Sequence, residues 1–189
     1  MIIMTGYKEE IPSPPIKVSK LEGAERLLNT AIQLFFDAGD MLSVHVLVAG
    51  AHEVLRTLLS NSGVAASLIK DNPTIRPEKL KEVRSQMNRT QNFLKHADKD
   101  PDSILDYYEA GIPFWIYDAI RMHSKLPGSS KYRAFFIFQI WFLREYPTVV
   151  SDPTIEAKLL ELKNCYPTSR TKLGEMLKNP DIYPIRDHG

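Results

Sequence analysis

The chain has 189 residues, 43% of them hydrophobic, which is the length of one domain with enough apolar surface for a core. Its formal net charge of +1 excludes a protein whose binding rests on a global positive field, though a local basic site remains compatible. The single cysteine, Cys165, excludes an intrachain disulfide and a thiolate zinc site within one chain, and a reducing, cytoplasmic setting is the simplest expectation.

Residues 1–18 read as an extended N-terminal arm, because Pro12, Pro14 and Pro15 oppose a helix. No basic stretch followed by an apolar core and a cleavage site precedes them, so no signal peptide is expected. Ser19 and Glu22 form a capping box, and Ala24, Leu27, Leu28, Ala31 and Phe35 then recur at helical spacing. Gly39 should end this helix, and Asp40 should cap the next, which carries Val44, Val48, Ala51, Leu55 and Leu58 and stops near Gly63. So short a connection predicts an antiparallel pair.

Val64 to Ile69 predicts one or two further helical turns, broken at Pro73. Pro77 suits the first turn of a third helix running to about His96. Asp100 and Pro101 should start a fourth, with Ile104, Leu105, Tyr108 and Ala110 inside, split by Gly111 and Pro113 and resuming from Phe114 to about Ser124. Residues 126–130 read as a loop. Lys131 to Glu145 predicts a densely apolar helix, expected to be the most buried. Its run from Ala134 to Leu143 is about half a membrane span and contains Gln139, so a core helix is expected and no membrane association. Amphipathic helices are predicted over 153–165 and 168–177, then an extended tail. No repeat and no alternating strand pattern occurs. The class is all-α: an arm over 1–18, a helical bundle domain over 19–148 and a C-terminal helical extension with its tail over 149–189.

The rarer chemical groups gather between Arg89 and Asp98. At about 100° per residue, Arg89, Asn92 and His96 share one helical stripe, with Ser85 a turn earlier, while Leu80, Val83, Met87 and Leu94 fall opposite. Such a helix would bury one face and present a guanidinium, an amide and an imidazole on the other. Phe93 is the apolar exception beside that stripe. His45 and His52, seven apart on the second helix, share a face but are too far apart for one metal ion. They read as core or interface histidines, with a supporting role beside Arg89 or His96 as the alternative. Glu53 would pair with a nearby arginine.

Asp98, Asp100, Asp102 and Glu109 echo a calcium loop, but Ser103 stands where glycine is needed, so a capped helix start explains the acids more simply. No metal site and no cofactor is expected. Trp115, Tyr117, Phe135, Phe136, Phe138, Trp141 and Phe142 read as core or interface, with a small-molecule pocket among them as a further alternative.

The opening pair of helices, through Ala24-Glu-Arg-Leu27, Phe35-Phe-Asp-Ala-Gly39 and Ala49-Gly-Ala51-His-Glu53, resembles that of HEPN-type domains. Nucleases of that family carry an Arg-x4–6-His motif on a later helix, and Arg89-x6-His96 is similar to it, although Thr90 follows the arginine where the family usually has Asn, Asp or His. The segment Asn92 to Asp98 also resembles one shared by a group of uncharacterised bacterial proteins. The resemblance covers about residues 20–125 and implies an antiparallel HEPN-like bundle. It implies metal-independent RNA cleavage through the 2′-hydroxyl, with His96 as acid or base and Arg89 on the phosphate. Asn92, Lys95 and Phe93 would contact substrate. A homodimer that pools two motifs is implied, as is a setting in defence or with an antitoxin partner. The rival expectation is a non-catalytic interaction module in which Arg89 to Asp98 is structural.

Overall fold

In the computed structural model, residues 14–63, 66–148 and 166–179 are described. They form seven α-helices and one 3-10 turn, with no strand among them, so the protein is an all-α helical bundle. The expected arm up to residue 13, the helix over 153–165 with Cys165, and the tail from 180 lie outside the described residues.

Helix α1 spans Lys20–Phe36, and Ser19 caps it by accepting from the Glu22 N–H at 3.1 Å. Helix α2 spans Met41–Asn61, and the Asp40 carboxylate caps it by accepting from the Ser43 N–H at 2.7 Å. The two lie against each other over their apolar faces, through Leu28, Ile32 and Phe35 on α1 and Val44, Val48 and Leu55 on α2. Among the described residues, α2 is the one helix long and apolar enough by composition to cross a membrane. Its buried face, however, belongs to the bundle core.

Beyond α2 the chain departs from the periodic expectation. Residues 68–70 form a turn and 66–67 have no regular structure, where helical turns were expected. The Ser67 hydroxyl accepts from the N–H groups of Ile69 and Lys70, offering the backbone a side-chain alternative to a helix. The expected helix from Pro77 to His96 is two: α3 over Pro77–Met87 and α4 over Arg89–Lys95, parted at Asn88. Neither buries a residue fully, and Met87 alone of their apolar side chains packs against the core, so little holds the joint straight.

The fourth helix is not formed at Asp100. Residues 103–108 have no regular structure, and Ile104 and Tyr108, expected inside, are 90% and 81% exposed. Tyr107 turns inward instead and donates its hydroxyl to the Met41 carbonyl at 2.9 Å. Burial, then the carboxylates of Glu109 and Asp40, push that phenol up to about 12, which keeps it a donor. The 3-10 turn Glu109–Gly111 leads into α5, Ile112–His123, where Pro113 begins the helix rather than splitting it.

Helix α6 spans Arg133–Glu145 and α7 spans Arg170–Lys178. The most buried helix is α5 rather than α6, because it packs on α2 on one side and on α6 on the other. Phe35, Phe36, Phe138 and Trp141 meet edge to face or tilted in the centre. Helix α7, from the expected C-terminal extension, contributes Leu173 and Met176 to this same core. Arg170 ties it to α1, donating from Nε to the Phe35 carbonyl at 2.9 Å and lying 3.9 Å from the centre of the Phe35 ring.

Candidate functional site

Two polar clusters stand out, one in an open cavity and one inside the core. The cavity, about 470 Å³, is built by the end of α3, by α4 and by the turns that follow. Ser85 and Gln86 come from α3, and Arg89, Asn92 and Phe93 come from α4. His96 closes α4 as its C-cap, with its N–H on the Asn92 carbonyl. The Lys99 N–H bonds back to the His96 carbonyl at 3.0 Å, a turn that brings Lys99 to the same cavity. Asp100, Ser103, Ile104 and Leu105 complete the wall.

Ser85, Arg89, Asn92 and His96 therefore face one space despite the break at Asn88, because that break keeps the chain helical in sense on both sides (φ −90°, ψ 0°). Arg89 and Asn92 are exposed, while Phe93 and His96 are half-buried. Among the described residues, no carboxylate forms an ion pair with Arg89 or His96, and neither side chain has a hydrogen-bond partner. Lys95 is exposed and does not line the cavity; the lysine that does is Lys99, which sequence periodicity missed because it lies beyond the helix. Among the described residues, Asp100 supplies the one carboxylate of the lining, which also holds the basic Arg89 and Lys99.

His45, His52 and Glu53 are not on that wall; they lie in or beside the second cluster. His52 is fully buried, with Nε2 at 3.0 Å from Asp118 Oδ2. Asp118 also accepts from the Ser67 hydroxyl at 2.6 Å, from the Leu68 N–H at 3.1 Å and from the Arg121 guanidinium. Burial pushes the Asp118 carboxyl up, but the hydrogen bonds from His52, Ser67 and Leu68 outweigh it and bring it to about 2. Serine and aspartate both meet the same imidazole nitrogen, and all three groups are sealed from solvent, so the trio is a buried clasp and not a nucleophile triad.

His45 packs beside Trp115 and Tyr107, and burial, then the nearby Lys70 ammonium, lower its pKa. Lys70 is 1% exposed; its Nζ bonds Glu53 at 2.9 Å and lies 5.1 Å from the centre of the Trp115 ring. Glu53 in turn meets Arg56, Arg56 grips Asp71 through two bonds of 2.8 and 2.7 Å, and Asp71 holds Arg84 of α3 at 2.7 Å. This relay of charge joins the core to the helices that carry the cavity. Sequence reasoning missed Asp118, Lys70 and Asp71 because their partners are distant in the chain.

A third buried pair, His123 with Glu25 at 2.8 Å, fastens α5 to α1, and Glu25 also accepts from the Ser130 N–H at 3.0 Å. The aromatic set expected as core is packed ring on ring, with Tyr117 stacked on Phe142 at 4.3 Å. Among the described residues, no group of three or more His, Cys, Asp or Glu side chains is placed to hold a metal ion.

Comparison with known proteins finds no matching family model, no matching curated protein and no matching solved structure.

Proposed function

We propose that the protein is a HEPN-like, metal-independent endoribonuclease or RNA-binding protein that uses Arg89 and His96. On this reading α1 and α2 are the antiparallel opening pair of that bundle. One observation carries the reading: Arg89, Asn92 and His96 share one open cavity with Lys99, and no acid among the described residues occupies the arginine or the imidazole. A guanidinium without a partner is ready to take a phosphate through two parallel bonds. An imidazole half open to solvent is within reach of a substrate hydroxyl as an acid or base.

In the proposed reaction His96 takes the proton of a ribose 2′-hydroxyl, the 2′-oxygen bonds to the adjacent phosphorus to give a 2′,3′-cyclic phosphate, and the P–O5′ bond breaks, the 5′-oxygen leaving as a hydroxyl with a proton from water. Arg89 stabilises the charge gathering on the phosphoryl oxygens. Along a helix, residues 89 and 96 are about 10 Å apart at about 1.5 Å per residue, so the phosphate lies between them or two copies pool their motifs. The latter arrangement makes the working form a homodimer.

The test is cleavage of a mixed single-stranded RNA in EDTA by wild type, Arg89→Ala and His96→Ala, with circular dichroism on all three. Wild type should leave 2′,3′-cyclic phosphate ends, and each variant should lose about 100-fold or more in rate while staying folded. No cleavage by wild type, or undiminished cleavage by His96→Ala, overturns the catalytic role.

The exposed Ile104 and Tyr108 favour a second reading, a docking module without catalysis, in which these side chains meet a protein partner. Loss of stability in both variants together with an inactive wild type would favour it.

A further inference from the structure

The cavity lining combines two kinds of side chain, and the apolar kind is not needed to hold a phosphate. Phe93, Ile104 and Leu105 give it an apolar wall, opposite in character to Arg89, His96 and Lys99. Ile104 is 90% exposed, so its apolar surface is open to a ligand that enters the cavity. At about 470 Å³ the space lies within the range of about 300–1,000 Å³ typical of sites for single small ligands.

We infer that the Phe93–Ile104–Leu105 wall is a base subsite that takes one unpaired nucleobase next to the phosphate held by Arg89. The inference rests on the RNA reading above and narrows it to single strands. A base within a duplex hides its faces in the stack, so it cannot present one to Phe93 without being drawn out. An unpaired base can lie on an aromatic face, and such stacking tolerates any base because every base has a π surface. The subsite therefore selects strandedness and not sequence.

The test is binding of a labelled single-stranded RNA of about ten nucleotides, followed by anisotropy, to wild type, Phe93→Leu, Phe93→Trp and Arg89→Ala, with inorganic phosphate as competitor. Phe93→Leu keeps apolar volume and removes the aromatic face, so it should weaken binding about fivefold or more. Phe93→Trp should retain binding, and competition by phosphate should be the same in all Phe93 variants. A duplex of the same length should bind more weakly, with no response to Phe93→Leu. If Arg89→Ala weakens binding and Phe93→Leu does not, the base subsite is wrong and the RNA reading stands. If wild type binds no RNA, both fall.

Discussion

Ala38 leaves α1 with φ at 54°, the left-handed region that disfavours any side chain with a Cβ. The sequence places a glycine one residue later, and Gly39 does a different job there. Its N–H bonds the Leu34 carbonyl at 2.8 Å, and a Cβ at this position would meet that oxygen at 3.1 Å. The turn is thus a Schellman closure with alanine in the glycine position. Ala38→Gly removes a strain of about 1–2 kcal/mol. It also adds about 0.4–1 kcal/mol of unfolded-state entropy. The net expectation is a gain of about 0.5–1 kcal/mol, read as a higher urea midpoint at unchanged slope; a lower midpoint would show that the turn is not under strain.

At the scale of elements, α3 and α4 are set apart, because they carry the cavity yet bury no residue. Arg84 is their polar anchor, reaching Asp71 at 2.7 Å and the Lys70 carbonyl at 3.1 Å, with Met87 packed against the core nearby. Arg84 is partly exposed, so the ion pair itself is worth about 1 kcal/mol or less. Arg84→Ala should therefore raise amide hydrogen exchange across 77–96 several-fold while moving the global urea midpoint little. A large fall in the midpoint would instead make these helices part of the cooperative core. The caps at Ser19 and Asp40 were legible in sequence because donor and acceptor lie within one turn. The break at Asn88 and the missing fourth helix were not, because they depend on what α3, α4 and residues 103–108 pack against, and that is little beyond Met87 and Tyr107.

Across the whole molecule, the core is held by apolar contacts and by buried polar pairs between distant segments. Asp118 falls from 3.8 to about 2 on folding, so its contribution is complete above about pH 4 and is lost as pH falls toward 2. It amounts to the order of 2 kcal/mol. Glu25, whose pKa is lowered on balance by His123 and Ser130 against the effect of burial, acts in the same direction. His45 has its pKa lowered from 6.5, so its neutral form is favoured by folding and stability also declines as pH drops below about 6.5. Urea midpoints should be flat from pH 7 to 8, decline gently below 6.5 and fall steeply between pH 4 and 2. Asp118→Asn should flatten the steep part. A midpoint that rises on acidification would contradict the sign of all three shifts.

Local sequence alone determined that this protein is helical, where α1, α2 and α3 begin, and that Arg89, Asn92 and His96 share a face. Each of these depends on groups within a turn or two of one another. Tertiary structure alone decided that Lys99 and Leu105 join them around one cavity, and that His45 and His52 belong to the core side of the molecule. It also decided that Asp118, 66 residues from His52, is the buried partner of that imidazole. Periodicity says which side chains face the same way along one helix. It carries no information on which distant segment supplies the opposite charge, because that is chosen by the packing of the bundle as a whole.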